Sequence, residues 1–291
     1  MHIFKLPRPF KLATLSAVAV VVITSIAGCS KSTSDTEAIT TIQSPTSEQA
    51  SLTIDESRLD IYYPVNLTAD LSAYSVEQRK MLSLLIDASK IMDDLFWKQA
   101  FGKDKSSFLA SISDPKIKAF AAINYGPWDR LNGDAAFLSG VEEKSKGAEF
   151  YPADMSKEEF EAADFNDKEG LYSIVVRDKN GKLSTKKYSQ VYKTELTAAA
   201  SLLEQAAQLA KDPSFASYLN MRAKALLNDD YQASDFAWMD MKTNPIDIVI
   251  GPIEVYEDQM YGYRAAFESY VLLKDLSWSE KLAKYAAYLP E

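Results

Sequence analysis

The chain carries histidine and cysteine only near its start, which restricts the sites that the rest of it can form. The one histidine is His2 and the one cysteine is Cys29, in a sequence of 291 residues. Without a later imidazole or thiol, no Ser-His-Asp or Cys-His arrangement can be built downstream. An ordinary zinc site also needs His or Cys ligands. The downstream part is left with carboxylate, Tyr, Lys or Ser chemistry, with binding of hard cations, or with no catalysis.

The composition is that of a globular chain with an acidic surface. A hydrophobic content of 47% at this length is sufficient for a buried core in one or two domains. The net charge of −9 argues against a nucleic-acid partner, because such a partner requires a basic face. The sequence also lacks GxxxxGK[ST] and GxGxxG, so no phosphate-binding loop is indicated.

The start of the chain has the pattern of a secretory leader. Lys5, Arg8 and Lys11 form a basic region, and an apolar stretch follows over 12–26. The stretch ends in Ile26-Ala27-Gly28-Cys29, which resembles the lipobox of bacterial lipoproteins. A plain signal peptide or an N-terminal anchor helix is the alternative interpretation.

We therefore predict a signal peptide over 1–28 and a lipidated Cys29 that attaches the protein to a membrane. Removal of the leader changes the net charge from −9 to −12, because three cations leave with it. Ser30 follows the cysteine where an Asp would favour inner-membrane retention, so we expect an outer-membrane lipoprotein of the cell envelope that faces the periplasm. Residues 29–56 are rich in Ser, Thr, Glu and Gln, and are predicted to be a disordered tether.

Several helix signals follow the tether. Capping boxes at Ser75 and Ser156 predict helices that run to about Gly102 and Ala163. Apolar spacing and flanking Pro residues predict further helices over 115–122, 195–211, 215–227, 260–274 and 278–289. Tyr263, Phe267, Tyr270 and Val271 form the apolar stripe of the helix predicted over 260–274.

The strand signals are fewer. A hairpin is predicted over 171–188, with a two-residue turn at Asn180-Gly181. A mostly buried strand is predicted over 246–256, with a break at Gly251-Pro252. These elements together predict an α+β fold that is predominantly α-helical, with a small antiparallel β component.

Four runs in the second half resemble bacterial members of the dipeptidyl-peptidase III family. They are NYGPWDRLNGD (124–134), GAEFYPADMSKEEFE (147–161), SDFAWMDMKTNPIDIVIGPIEVYED (234–258) and GYRAAFESYVLLKD (262–275). Members of this family are zinc metallopeptidases that remove dipeptides from peptide N-termini. The resemblance covers residues 57–291 and implies the N-terminal portion of a two-domain metallopeptidase-like fold.

The resemblance also implies a metal centre that this sequence does not contain. The family holds zinc with a HExxGH helix and a later Glu, and the Glu inside the motif activates the zinc-bound water. The sequence reaches Glu291 without this motif, and its only histidine is His2. We therefore expect no cofactor in this chain, although the intact family uses zinc. We further expect a truncated peptidase that is inactive alone and that has the missing C-terminal half as a partner.

The resemblance assigns candidate substrate-binding residues to the strand and its end. In the family, a Glu and a Tyr help to bind the substrate amine and to polarise the substrate carbonyl. By position, these two residues correspond to Asp247 and Val249 in this sequence. Asp247 keeps the negative charge, but Val249 has no hydroxyl. Glu254 and Tyr256 are the further substrate-binding candidates, and peptides are the expected ligands.

Other charged residues have two interpretations. Glu257 and Asp258 are either cleft carboxylates or helix-cap and surface charges that precede the predicted 260–274 helix. An aromatic and charged group in the 124–134 loop belongs either to the site or to core packing, and comprises Tyr125, Trp128, Asp129 and Arg130.

Two other classes of function remain open from the sequence. One is a non-catalytic, lipid-anchored module of the cell envelope that binds peptides or proteins. The other is a glycosidase, which would need paired carboxylates about 5–10 Å apart and has no motif behind it here. If a second half is missing, we expect an uncovered apolar patch formed by Ile248, Ile250, Tyr263, Phe267 and Tyr270.

Overall fold

The computed structural model describes residues 51–286 and residue 288. This part of the chain is α+β and mainly helical, which confirms the predicted fold class. Its helices are α1 (Val76–Phe101), α2 (Lys105–Ser111), α3 (Pro115–Asn124), α4 (Lys157–Ala162), α5 (Tyr188–Val191), α6 (Lys193–Leu209), α7 (Pro213–Asn228), α8 (Gln232–Asp240) and α9 (Leu276–Ala286). Its strands are β1 (Trp128–Asp129), β2 (Ala135–Ala136), β3 (Ser173–Arg177), β4 (Leu183–Lys187), β5 (Ile246–Glu254) and β6 (Ala266–Leu273). The predicted signal peptide, Cys29 and residues 30–50 lie outside the described residues.

Helix α1 begins and ends where its capping signals predict. The Ser75 side chain accepts from the Gln78 amide and the Gln78 side chain accepts from the Ser75 amide, which completes the capping box. Gly102 ends the helix in the left-handed region at φ 72°. The face that points into the core carries apolar side chains at helical spacing, namely Met81, Leu85, Ala88, Met92 and Leu95.

The main core lies between helices α1, α6 and α7 and the β5–β6 sheet. Helix α6 contributes an alanine-rich buried face that includes Ala199, Ala200 and Ala206, and these small side chains allow α1 and α7 to approach it closely. The sheet lies against α1 through the Phe267 side of β6. This arrangement leaves one face of the sheet directed away from the core.

Residues 260–274 do not form the predicted helix. They form a turn with Gly262 in the left-handed region at φ 68°, followed by the strand β6, which pairs with β5 in antiparallel register. The spacing of Tyr263, Phe267 and Tyr270 suits a helix, but Phe-Glu-Ser-Tyr-Val is also a β-forming run. The pairing with β5, which is distant in sequence, decides between the two conformations.

Two other predicted details differ in the structure. The β3–β4 hairpin closes through the three residues 179–181, with Gly181 at φ 79°, because Asp178 still pairs with Lys182. The break predicted at Gly251-Pro252 is a β-bulge between Pro252 and Glu254.

The end of the predicted tether is ordered. Thr53 N donates to the carbonyl of Phe137, and Ser139 N donates to the carbonyl of Ser51. Leu52 and Ile54 pack on a second small core around Phe120. Residues 51–56 therefore belong to the folded part, contrary to the prediction, because their apolar side chains find partners some 80 residues later.

The prediction of an uncovered apolar patch is mostly wrong. Ile248, Ile250 and Phe267 are fully buried, because their side of the sheet faces the core. Tyr270 is 54% exposed, because it lies on the other face. None of the helices in the described part of the chain has the length and apolar character of a membrane-spanning helix.

Candidate functional site

The second face of the β5–β6 sheet carries the candidate residues. Side chains alternate along β5, so the buried isoleucines face the core while Asp247 and Val249 point the other way. On β6, the side chains of the residues paired with Gly251, Val249 and Asp247 point to the same face as Asp247 and Val249. We call this surface the open face, formed by Asp247, Val249, Glu268, Tyr270 and Leu272.

Asp247 lies on the open face but is itself buried, at 5% exposure. Its carboxylate accepts from Trp238 Nε1 at 3.1 Å and from the Ile248 amide at 2.8 Å. Lys274 Nζ lies 3.1 Å from the second oxygen. The negative charge that the resemblance assigns to substrate binding is therefore already paired within the chain.

The hydroxyl that is absent at Val249 is present on its neighbour across the sheet. Tyr270 is the direct antiparallel partner of Val249. Its hydroxyl donates to Glu268 Oε2 at 2.9 Å. Glu268 and Tyr270 were not predicted as site candidates, because the prediction placed them in a helix. The alternation of polar and apolar residues in FESYVLL indicates a strand and could have identified them.

Glu254 is the last residue of β5 and Tyr256 follows it by two residues; both are exposed, and Tyr256 is 80% exposed. Glu254 is close enough to influence Glu268 electrostatically. Burial raises the pKa of the Glu268 carboxyl above its ordinary value and the Glu254 charge raises it further, while the Tyr270 hydrogen bond acts in the opposite direction. The two carboxylates are therefore near enough to interact, and a cation beside them would favour their charged forms.

Glu257 is not a surface charge. Its side chain is 3% exposed and bridges two cations, with Arg130 Nη1 at 2.6 Å and Lys144 Nζ at 2.6 Å. Arg130 also lies over the rings of Phe96 and Tyr125, at 5.1 and 5.7 Å from their centroids. The 124–144 region is thereby attached to the segment that follows β5.

Asp258 is also buried, at 2% exposure. One oxygen accepts from the Tyr151 hydroxyl at 2.7 Å and from the Tyr263 amide at 2.9 Å. The other accepts from the amides of Met260 and Tyr261. Asp258 therefore fixes the turn that leads into β6, and neither interpretation made from the sequence describes this role.

The aromatic and charged group of the 124–134 loop has structural contacts. The Asp129 carboxylate is fully buried and accepts from Arg58 Nη2 at 2.7 Å. The Tyr125 hydroxyl donates to Asp93 at 2.7 Å, and burial together with the Asp93 charge raises the pKa of Tyr125. Trp128 Nε1 donates to the Glu142 carbonyl at 2.9 Å.

The donor set of the described residues does not fit zinc. No three His, Cys, Asp or Glu side chains within residues 51–286 and 288 converge so as to hold a metal ion. Glu254 and Glu268 are a pair of oxygen donors without an imidazole or thiolate, whereas zinc sites are normally completed by such ligands.

Solved structures of two bacterial enzymes resemble the chain. It is 39% identical to dipeptidyl-peptidase III from Caldithrix abyssi, with a TM-score of 0.75 over 80% of this chain and 46% of that chain. It is 33% identical to dipeptidyl-peptidase III from Corallococcus sp. strain EGB, with the same TM-score and coverage. The chain thus spans less than half the length of the enzymes that it matches.

A plant protein is also similar in sequence. Nudix hydrolase 3 from Arabidopsis thaliana is 31% identical, over 76% of this chain and 36% of that protein. No protein-family model matches the sequence. The similarity to the two solved structures extends over 80% of this chain. The chain therefore belongs to the dipeptidyl-peptidase III family, a family of peptidase-like hydrolases.

Proposed function

We propose that this chain is a lipid-anchored, dipeptidyl-peptidase III-like region that binds the N-terminal part of peptides and is inactive as a hydrolase on its own. The observation that carries the proposal is the open face, where the half-buried carboxylate of Glu268 and the hydroxyl of the exposed Tyr270 border an apolar sheet surface. An extended peptide presents the matching chemistry, which is an ammonium group followed by alternating side chains.

Within this proposal Glu254 and Glu268 attract the peptide ammonium. Asp247 is held by Lys274 and Trp238, so it shapes the open face instead of binding the amine directly. In the proposed complex the peptide ammonium replaces the Tyr270 hydroxyl as the partner of Glu268, and that hydroxyl then donates to a peptide carbonyl, in place of the hydroxyl that Val249 lacks. Tyr256 extends the same surface at the end of the strand.

We expect the chain to bind a tetrapeptide with a free amine, and to bind the N-acetylated form at least tenfold more weakly. Glu268→Gln should weaken binding about tenfold, since a hydrogen bond to a charged group is worth roughly 1.5–3 kcal/mol. Affinity should also fall as the pH is lowered through the raised pKa of Glu268, because the protonated carboxyl loses its charge. Isothermal titration calorimetry measures all three effects.

The matched control for this experiment is Glu280→Gln on α9, which removes the same charge from an exposed position away from the sheet. If acetylation or Glu268→Gln left the affinity unchanged, the proposed amine site would be wrong.

Zinc takes no part in what these residues do. The described donor set does not fit the metal, so no step of a hydrolytic reaction is assigned to this chain. We expect the mature chain to bind no stoichiometric zinc and to hydrolyse no dipeptidyl-arylamide substrate. Elemental analysis that found near one zinc per chain, resistant to mild chelation, would contradict this.

The proposed anchor lies outside the described residues and rests on the sequence of residues 1–29. Cys29→Ala should abolish labelling with a lipid precursor and should shift the protein from the membrane fraction, because acyl chains supply the membrane affinity. Fractionation and intact mass measure the result, with Ser30→Ala as the control. An unchanged mass and an unchanged membrane fraction for Cys29→Ala would exclude lipidation at this residue.

A non-catalytic binding module is the second candidate, and the internal pairing of Asp247 with Lys274 and Trp238 favours it, because that charge is not free to act on a substrate. The two candidates differ in whether a HExxGH-containing polypeptide accompanies this one. Sequencing of the DNA after codon 291 distinguishes them, since an adjacent HExxGH reading frame indicates a peptidase and an unrelated gene indicates an independent module.

A further inference from the structure

A cavity lies where the first turns of α1 and α7 meet the segment that leads into β5. Its volume is about 190 Å³, and it is partly open to solvent. Ile246, the first residue of β5, lines it. The Ile246 side chain belongs to the core side of the sheet, so the cavity is separate from the open face. We call it the α1–α7 cavity.

The floor of the α1–α7 cavity is apolar. Met81, Phe215 and Ile246 line it and are only 1–3% exposed, and Pro245 adds a further apolar wall. The part of a ligand that enters should therefore be hydrocarbon. A water molecule takes up about 30 Å³ in the liquid, so the volume suits roughly six waters or a ligand of about six to eight non-hydrogen atoms.

The acidic residue at the rim of the cavity has no capacity left for a ligand. One oxygen of Asp212 accepts from the Ser214 amide at 2.9 Å, from the Ser214 hydroxyl at 2.6 Å and from the Phe215 amide at 3.3 Å. The other oxygen accepts from the Thr243 hydroxyl at 2.8 Å. These donors fill the roughly four lone-pair sites of a carboxylate, and the Thr243 proton is used in the same contact.

The polar groups that stay available at the rim are donors. The Lys211 ammonium makes no ion pair or hydrogen bond within the part of the chain that the structure describes, and Glu77 influences it only from a longer distance. The Gln78 oxygen accepts from the Ser75 amide, which leaves the Gln78 Nε2 donors without a partner among the described residues. An ammonium and an amide group above an apolar floor match a carboxylate that carries a short hydrocarbon chain.

We propose that the α1–α7 cavity binds a short apolar carboxylate. Its hydrocarbon part lies on the floor formed by Met81, Phe215 and Ile246, and its carboxylate accepts from Lys211 and Gln78. This site is additional to the peptide-amine site proposed on the open face and does not depend on it. A free short-chain fatty acid and the apolar C-terminal residue of a peptide both carry this chemistry.

A titration of the full chain with isocaproate, followed by methyl NMR, tests the proposal. The methyl signals of Met81 and Ile246 should shift along one saturable curve, with a Kd on the order of 1 mM for so small a ligand. The methyl of Met92, which is fully buried elsewhere on α1, should stay in place. Isocaproamide has the same shape without the charge and should bind at least fivefold more weakly. Equal binding of acid and amide, or unchanged Met81 and Ile246 signals, would overturn the proposal.

Lys211→Gln gives the second measurement. Lys211 is exposed, so its substitution should leave the fold intact and raise the Kd of isocaproate about three- to tenfold. Lys224→Gln is the matched control, because it removes the same charge from an exposed position of α7 that does not line the cavity. An equal Kd for the two variants would contradict the assigned role of Lys211.

N-acetyl-leucine distinguishes the two sources of the carboxylate. A lower Kd than that of isocaproate would support the proposal with a peptide C-terminus as the ligand, and a higher Kd would support it with a free fatty acid. Loss of peptide-amine binding at the open face, with isocaproate binding intact, would count against the proposed function alone.

Discussion

Phe267→Ala is expected to lower the free energy of unfolding by about 3–5 kcal/mol, as for other buried aromatic residues. The Phe267 side chain is fully buried, and its ring centroid lies 5.3 Å from that of Tyr188 and 5.7 Å from that of Tyr192. The substitution therefore leaves a cavity between β6 and α5. Denaturant unfolding should show the loss, and the melting temperature should fall by roughly 10 °C.

The matched control is Tyr270→Ala, three residues along the same strand. Tyr270 is 54% exposed, so its removal should cost less than about 1 kcal/mol. In a helix, Phe267 and Tyr270 would share one stripe and would both be costly to replace. Similar losses for the two variants would therefore contradict the strand and favour the helical arrangement.

Glu257→Gln is expected to destabilise the protein by about 3–5 kcal/mol, because it removes the buried carboxylate that pairs with both Arg130 and Lys144. Lys144 has a 5% exposed side chain, so water cannot replace the lost partner. Asp134 is a weaker substitute, with 3.7 Å between the lysine nitrogen and its carboxylate. The free energy of unfolding from urea titration measures this effect.

Glu254→Gln is the control, since it makes the same chemical change three residues earlier at an exposed position. It should leave the unfolding midpoint within about 0.5 kcal/mol of the parent chain. If Glu257→Gln and Glu254→Gln unfolded at the same urea concentration, the buried ion pairs would contribute nothing to stability.

The helices were predictable where their end signals are local. Ser75, Asp114 and Ser156 each accept hydrogen bonds from backbone amides at the start of a helix. Each of these amides lies within three residues of the side chain that accepts from it. Helices α2, α5 and α8 were not predicted from the sequence. The strand β6 was missed for a different reason, since its partner β5 and the turn between them are required to select the conformation.

The strand that carries the candidate residues was predictable from the sequence, and the contacts of those residues were not. The resemblance located the strand with Asp247 and the exposed residues Glu254 and Tyr256. It could not reveal that Lys274 neutralises Asp247 or that Glu257 faces inward, because those contacts join segments 27 and 113 residues apart. The acidic pair Glu254 and Glu268 likewise depends on the β5–β6 register.

If Cys29 is lipidated as proposed, the early start of the folded part limits how far the protein can extend from the membrane. Ser51 is already tied to Ser139 through backbone and side-chain hydrogen bonds, so at most 22 residue steps separate Cys29 from the folded surface. A fully extended segment of that length spans at most about 75 Å. If Cys29 carries lipid, every substrate of the open face must be delivered within roughly that height of the bilayer plus the size of one domain.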